Sequence, residues 1–369
     1  MATNSPSSPA ATYGEERDGR DGRDGEAPAL SEHYVSDGAR KEKLRQRSYP
    51  PPRATRRRYA ELHCASAFSF LAGASLPEDL IERAAELELP AVALIDRNGV
   101  YGAPRFYKAA RAAGIKALVG AEVVIDAPRR RPSKIEPGKT GHAADPLKLA
   151  RETEARVTVL VADRSGYQNL CRMLTAGALA HPKGEARVDW DTLAAHAGGL
   201  WCLTGGEEGP LARTLRAHGS NGRVEARRLL ERLRAIFHDR LSIEVQRHAL
   251  RFEEERNQAL FELARGSNLP LLATNGVRYG REDEKRLYDV LTCLRLGARL
   301  DSAGALLDGE RQRHLKGAGE MAELWSDHPE AVEATLELAR SLDFTLADLG
   351  YRFPDYPLPT GETPASYLR

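Results

Sequence analysis

The 369-residue sequence lacks several features that identify a function class on their own. Its four cysteines are scattered and form no Cys-x-x-Cys pair, which argues against a zinc finger and favours reduced thiols in a cytoplasmic protein. The formal net charge of +1 does not point to nucleic acid. No apolar run approaches the ~20 residues that span a bilayer, and no secretory signal pattern is present, so we expect no membrane partner.

Two further signals of enzyme chemistry are weak. The Gly-rich segment 205–209 resembles a phosphate loop, but the Gly-Lys-Ser or Gly-Lys-Thr of a Walker motif is missing, so a strand-to-helix turn is the simpler interpretation. Ser66 and Ser69 lie close in sequence to His63, as a nucleophile beside its base would. Because neither an oxyanion loop nor an orienting acid can be identified, we expect a capping role for the two serines.

The first 58 residues differ in composition from the rest of the chain. They are rich in Ser, Pro, Gly and charge, with a Gly-Arg-Asp tandem at 19–25. Such a segment cannot bury enough apolar surface to offset its chain entropy, so we predict a disordered tail. The end of this tail, 40–58, is basic. It is either a solvated linker or a weak, salt-dependent contact for the phosphates of DNA or RNA.

The middle of the chain alternates apolar strands with helices. The run at 91–95 is wholly apolar, which is typical of a strand covered on both faces. Ser-Leu-Pro-Glu at 75–78 predicts a capping box in which the Ser75 hydroxyl caps the next helix. A second helix is predicted at 104–113, ending at Gly114.

Seven strand candidates occur in this part of the chain. The alternation predicts βαβ units and a parallel sheet, and seven strands favour a barrel, although an open sheet has the same repeat. A stretch rich in Pro, Gly and basic residues at 126–153 is predicted to be a surface loop. The strands begin after Tyr59 and continue at 91–95, 116–125, 156–162, 200–204, 241–246 and 269–275.

After about residue 281 the pattern becomes helical. Helices are predicted at 282–294 and 329–342, and the Pro-rich tail ends on a helix that begins at Thr363-Pro364. We therefore divide the chain into a tail (1–58), a barrel (59–280) and a helical segment (281–369) that begins a further, incomplete domain.

Polar side chains stand where the predicted strands end. His63, Asp96 and Glu122 follow the first three strands, and His248 and Asn275 follow two later ones. Because the carboxyl ends of parallel strands meet at one end of a sheet or barrel, we expect these residues to converge. His63 and Glu122 should then lie within about 15 Å, roughly the width of a barrel mouth.

Long runs of the sequence carry a family resemblance. The longest is YAELHCASAFSFLAGASLPEDLIERAAELELPAVALIDRNGVYGAPRFYKAARAAGIKALVGAEV, and shorter runs are GYQNLCRML, GLWCLTGGEEGPL, LSIEVQRHAL, LPLLATNGVRYG and DYPLPTGETPASYLR. In this order and spacing they resemble the N-terminal PHP (polymerase and histidinol phosphatase) region of bacterial C-family DNA polymerases, most of all the error-prone type. The resemblance begins at Tyr59 and implies an α/β fold: a distorted seven-stranded, TIM-like β/α barrel followed by a short helical extension.

The resemblance also implies a metal site, most of whose ligands are missing here. Active members of the family hold two or three metal ions with His, Asp and Glu side chains. Three such ligands remain in this sequence, and three further polar residues belong to the same remnant site. The retained ligands are His63, Glu122 and His248; the other remnant residues are Asp96, Glu244 and Asn275; and the substituted ligand positions are Ala65, Ala72, Arg97, Gly276 and Arg278.

These substitutions change the charge of the site as well as its ligand count. Zinc or manganese needs several neutral imidazoles and carboxylates around it. Arg97 and Arg278 instead bring positive charge that cannot be lost, and we expect them to pair with Glu122 or Asp96. The prediction is a salt-bridged mouth without a metal cofactor. The alternative is a reduced site that holds one zinc or manganese ion.

Two functions follow from the resemblance. Polymerases of this family perform nucleotidyl transfer with palm carboxylates that hold two magnesium ions, and those acids lie beyond the stretch that ends this chain. The first function is therefore a non-catalytic module of an error-prone polymerase in DNA replication and repair. Its expected partner is a polymerase core or another replication or repair protein. The second is a metal-dependent phosphoesterase or 3′–5′ exonuclease, which the ligand losses disfavour.

Overall fold

The structure is a computed structural model that describes residues 59–126, 155–217, 221–250, 253–307, 311–349 and 358–367. The predicted tail, nearly all of the loop predicted at 126–153 and part of the Pro-rich end lie outside the described residues, so these remain predictions. Within the described ranges, no helix is long and apolar enough to cross a membrane.

Seven strands form one sheet whose spatial order follows the sequence. Strands β1 to β3 pair in parallel, as do β5 to β7. Each apolar run predicted to be a strand is one, with shifted ends. The strands are β1 (Glu61–Cys64), β2 (Ala91–Arg97), β3 (Lys116–Ile125), β4 (Ala155–Val161), β5 (Leu200–Leu203), β6 (Leu241–Val245) and β7 (Leu271–Ala273).

Strand β4 runs antiparallel to both of its neighbours, so the prediction of a wholly parallel sheet is wrong at this strand. The first residue of β4, Ala155, pairs with Ile125, the last residue of β3. The chain therefore re-enters the sheet at the end where it left, whereas a parallel strand requires a crossover to the opposite end. As a result, the start of β4 lies beside the ends of its neighbours.

Hydrogen bonds between β1 and the segment after β7 join the two edges of the sheet. The Val277 amide donates to the His63 carbonyl (2.8 Å), and the Ala65 amide donates to the Val277 carbonyl (2.9 Å). The sheet thus curls into the predicted α/β barrel, distorted by the reversed fourth strand. We call the end at which β1–β3 and β5–β7 terminate the mouth.

Helices surround the sheet and continue beyond it. The helical pattern predicted after residue 281 is present, and α5 follows the predicted strand-to-helix turn, whereas α4 and α9 are short helices that the sequence patterns did not indicate. The helices are α1 (Pro77–Glu86), α2 (Ala103–Ala113), α3 (Arg164–Ala180), α4 (Trp190–Ala195), α5 (Pro210–Ala217), α6 (Gly222–Phe237), α7 (Glu253–Ser267), α8 (Lys285–Leu296), α9 (Ala318–Leu324), α10 (Pro329–Ser341) and α11 (Pro364–Tyr367).

The start of α1 shows how tertiary contacts override a local signal. Ser75 does not cap the helix as predicted, because its hydroxyl donates to Glu284 (2.5 Å) and accepts the Gly280 amide (2.7 Å). The Asp79 carboxylate instead accepts the Leu76 amide (3.3 Å). Ser75 therefore ties the first barrel helix to the segment that follows the barrel.

Helix α10 connects the helical segment to the barrel. Leu338 and Leu342 belong to a buried apolar cluster that also contains Leu62 of β1. The Ala60 amide donates to the Thr335 hydroxyl (3.2 Å). This helix therefore packs directly on the first strand, and the barrel core continues into the segment after residue 281.

Candidate functional site

His63 and Glu122 meet inside the mouth. The His63 Nε2 atom lies 3.5 Å from Glu122, and its Nδ1 atom lies 2.6 Å from the Glu244 carboxylate. All three side chains are almost fully buried. Desolvation lowers the pKa of His63, but the two carboxylates outweigh it and raise the pKa to about 9. His63 is thus a cation between two acids.

Glu122 is held by two arginines. Arg278 Nη2 lies 3.2 Å from one carboxylate oxygen, and Arg156 Nη1 lies 3.3 Å from the other. Burial alone would raise the pKa of Glu122, but Arg278 and Arg156 hold it well below its usual value. The pairing of Arg278 with Glu122 is the salt bridge that the sequence led us to expect.

Arg156 is a member of this site that sequence reasoning missed. It is the second residue of β4, and because that strand is reversed, its start lies at the mouth. In a parallel strand the same residue would lie at the opposite end of the barrel. The one available signal was a charged residue at the edge of an otherwise apolar run.

Asp96 organises the loop after β1. Its carboxylate accepts the amide of Ser66 (2.7 Å) and the hydroxyl of Ser69 (2.9 Å). The Ser69 hydroxyl in turn accepts the Arg97 amide (3.0 Å). Burial raises the pKa of Asp96 against these hydrogen bonds. The two serines therefore fix the loop, in keeping with a structural role.

His248 and Asn275 make contacts that do not involve His63 or Glu122. The ring of His248 bonds the Asn275 carbonyl (2.8 Å) through Nε2 and faces Glu253 (3.2 Å) through Nδ1. The Asn275 side chain donates to the His314 carbonyl (2.7 Å). These residues join β6, β7 and the segment near residue 314.

Gly276 and Ala65, two positions predicted to be substituted ligand sites, leave little room for a larger side chain. Gly276 has φ +53°, and a Cβ atom added there would lie 2.7 Å from the Gln246 amide nitrogen. Ala65 is completely buried, and its amide is part of the bond network that closes the barrel. Ala72 contributes to the wall of the cleft described below.

The residues present do not fit a divalent metal ion. Both ring nitrogens of His63 face carboxylates, and both oxygens of Glu122 face guanidinium groups. A metal would have to displace these contacts against two fixed positive charges. Within the described residues, no group of three or more His, Cys, Asp or Glu is arranged to hold a metal ion.

A strongly basic cleft opens at the mouth. Its volume is about 430 Å³, and six arginines and three glutamates contribute to its wall. The acids are Glu122, Glu207 and Glu208. The basic side chains are Arg156, Arg213, Arg216, Arg278, Arg295 and Arg313.

The Gly-rich segment 205–209 forms one wall of the cleft as the predicted turn between β5 and α5. It presents two acids to the arginines. Glu207 pairs with Arg313 at 3.1 Å, and Glu208 pairs with Arg156 and, at 3.5 Å, with Arg278.

The charge of Arg97, the second predicted mouth arginine, also acts on Glu208. Desolvation opposes ionisation of this carboxyl, but Arg156, Arg278 and Arg97 lower its pKa to about 2 although Glu122 repels it.

Comparison with known proteins identifies relatives of this chain. A family model described as the PHP domain matches residues 61–248. An error-prone DNA polymerase of Mycolicibacterium paratuberculosis is 38% identical over 329 residues, which cover 87% of this chain and 28% of that protein. An error-prone DNA polymerase of Anaeromyxobacter dehalogenans is 35% identical, over 82% of this chain and 24% of that protein. The chain thus spans less than a third of the length of these curated relatives.

Solved structures give a more distant match. An amidohydrolase from Chromobacterium violaceum, whose structure contains bound sulfate and no metal, aligns with a TM-score of 0.35 and 15% identity. The alignment covers 59% of this chain and 86% of that one. A similarity of this size does not bear on function.

Proposed function

The chain belongs to the PHP-domain family, and we propose that it is the non-catalytic N-terminal module of an error-prone DNA polymerase that acts in DNA replication and translesion repair. The identity of 35–38% to such polymerases, over 82–87% of this chain, supports this context. In this proposal the barrel stabilises a polymerase core, and the nucleotidyl transfer takes place in that core.

The arrangement around Glu122 carries the proposal. A carboxylate that serves as a metal ligand must offer an oxygen to the ion. Here one oxygen faces Arg278 and the other faces Arg156. Neither guanidinium can lose its proton at physiological pH, so both oxygens of Glu122 stay paired with fixed positive charges, which supports a site without a metal ion.

An exposed apolar stripe on α8 supports the role as a module. Leu287, Val290 and Leu294 lie at helical spacing on one face, with exposed fractions of 49%, 42% and 64%. Contiguous exposed apolar side chains of this kind mark interaction surfaces. Because the relatives are more than three times longer than the aligned part of this chain, we propose that the stripe contacts the polymerase core.

Metal analysis combined with a phosphodiesterase assay tests the missing chemistry. Purified protein should contain no stoichiometric zinc or manganese and should not hydrolyse bis-p-nitrophenyl phosphate or the 3′ end of an oligonucleotide. His63→Ala provides the control. Stoichiometric metal together with hydrolysis that His63→Ala abolishes would contradict the proposal.

The same assay tests the alternative, a metal-dependent phosphoesterase or 3′–5′ exonuclease. The observation that keeps this alternative open is that His63 and Glu122, two retained ligand residues, still lie 3.5 Å apart. Under this alternative, added zinc or manganese should activate hydrolysis and Arg278→His should increase it. Activity that depends on neither metal nor His63 would exclude both readings of the site.

Co-purification tests the structural role. The chain, expressed with the remainder of a curated relative as a second polypeptide, should form a complex that survives gel filtration. Leu294→Asp on the exposed stripe should weaken the complex, whereas Leu179→Asp, at an exposed position on α3, should not. Equal loss with both variants, or no complex at all, would refute the docking role of the stripe.

A further inference from the structure

We propose that the mouth of this barrel is a binding site for a small phosphate-bearing anion, held by arginines where the family holds metal ions. This inference does not depend on whether the chain works within a polymerase. It starts from the basic cleft, whose wall includes three more arginines than glutamates. Such an excess of fixed positive charge in a concave site attracts and concentrates anions.

The arginines have the chemistry that phosphate recognition requires. A guanidinium offers several N–H donors in a planar fork that matches two oxygens of a phosphate. Arg278, Arg156 and Arg313 all line the cleft, and all three side chains are almost fully buried. Arg156 lies in β4, Arg278 follows β7 and Arg313 lies in the segment before α9, so three separate parts of the fold supply donors to the cleft. This arrangement suits a tetrahedral oxyanion better than a single flat carboxylate.

Arg278 carries unused donor capacity inside the cleft. Its side chain is 8% exposed, and Nη2 is the atom that contacts Glu122 and Glu208. Within the described part of the chain, Nη1 is buried and has no hydrogen-bond partner. A buried donor of a charged group without a partner is costly, so its presence in a cleft indicates a ligand oxygen.

Glu208 occupies the place of the proposed anion. It is 44% exposed on its side chain, unlike Glu122, and it reaches Arg156 and Arg278 from the rim of the cleft. Its backbone is fixed, since the Arg156 amide donates to its carbonyl (3.0 Å). Its side chain can still rotate toward solvent. We infer that a phosphate displaces this carboxylate from the two arginines, while Glu122 keeps them in place.

The size of the cleft selects the class of ligand. A volume of about 430 Å³ lies within the range of small-molecule sites, about 300–1,000 Å³. Nucleic-acid backbones are bound along basic grooves or faces that follow the strand. Here the charges line one compact cleft, which favours one phosphate group. Free phosphate, a nucleotide and a phosphorylated DNA end share this chemistry.

Calorimetric titration with inorganic phosphate tests the site directly. We expect one binding site per chain, with an affinity that falls as chloride rises. Glu208→Gln should tighten binding about tenfold, because a competing negative charge is removed. Arg278→Met should weaken it by about tenfold or more, because a charged donor is lost. Arg299→Met, at an exposed arginine that pairs with Asp301 and does not line the cleft, should leave binding unchanged.

One further variant and two further ligands complete the test. If Arg278→Met does not fold, as judged by circular dichroism, then Arg278→Lys, which keeps the charge but not the fork, replaces it and should also weaken binding. A nucleoside triphosphate that binds more tightly than phosphate identifies a nucleotide ligand. A 5′-phosphorylated oligonucleotide that binds more tightly than its unphosphorylated form identifies a DNA end.

Three results would overturn the proposal. The first is the absence of phosphate binding in both the unmodified protein and Glu208→Gln. The second is binding that is equally strong in Glu208→Gln, the Arg278 variant and Arg299→Met, which would indicate a general charge effect. The third is equal binding of oligonucleotides with and without a terminal phosphate, which would indicate a backbone-binding surface instead.

Discussion

The clearest prediction concerns the counter-charge at the base of the mouth. Glu122→Gln keeps the size of the side chain and removes the charge that faces Arg278, Arg156 and His63. In a buffer that contains a metal chelator, we expect the variant to unfold at a lower denaturant concentration than the unmodified protein. The reason is that buried guanidinium groups lose their partner and keep their own charge.

The magnitude follows from the geometry. At an effective dielectric of about 20, a unit pair at the 3.2 Å separation of Arg278 and Glu122 attracts by roughly 5 kcal/mol, and the Arg156 pair by a similar amount. Desolvation of the ions offsets several kcal/mol of this attraction. The measured cost of removing one partner of a buried pair is about 3–5 kcal/mol, and we expect a loss of this size.

Urea unfolding monitored by circular dichroism measures this loss, and a double variant sharpens it. Glu122→Gln/Arg278→Met removes both charges of one pair, so its free energy of unfolding should exceed that of Glu122→Gln alone. A loss below about 1 kcal/mol for Glu122→Gln, the value typical of exposed pairs, would refute the salt-bridged mouth. A loss of stability in Glu122→Gln that appears only when zinc or manganese is present would also refute it, because Glu122 would then act as a metal ligand.

Two other predictions address Lys316 and Gly276. The Lys316 side chain is 2% exposed, and burial lowers its pKa from 10.5 to about 8, so its charged form is unfavourable in the folded state. Unmodified protein should therefore gain stability relative to Lys316→Met as the pH rises from 8 to above 10. Thermal unfolding of both proteins at each pH measures this gain, and a difference in unfolding temperature that stays constant with pH would contradict the prediction. Gly276→Ala should cost about 1–3 kcal/mol in urea unfolding, because φ is +53° and Gln246 is close. Gln246→Ser should recover part of that loss, and no recovery would show that backbone strain alone is responsible.

The sequence was sufficient to locate the strands but not to give their direction. Apolar runs such as 91–95 predict strands that are covered on both faces. Each of the seven predicted strands is present in the structure. Periodicity carries no information on which way a strand runs, so the reversal of β4 was not foreseeable. Since the position of Arg156 depends on that reversal, the second arginine on Glu122 could not be predicted either.

The contacts of the candidate site were likewise predictable only in part. The meeting of His63 and Glu122 followed from strand ends, and the pairing of Arg278 with Glu122 followed from charge. The contacts of Ser75 and His248 could not be predicted in this way. The partner of Ser75, Glu284, lies more than two hundred residues away in the sequence, and His248 contacts the loop that follows a neighbouring strand. Local patterns predict what a residue can bind, whereas the fold decides which of several partners is within reach.

The buried carboxylates of the mouth have cationic partners that belong to the barrel itself. Glu122 and Glu244 stay buried, and a buried carboxylate needs a cation or hydrogen bonds around it. In metal-bearing members of the family the ions provide part of that positive charge. Here Arg278, Arg156 and the protonated ring of His63 provide it. Apolar residues at the same positions would have left the carboxylates without partners at a cost of several kcal/mol. The two arginines and His63 therefore supply, from the chain itself, the positive charge that the buried carboxylates need.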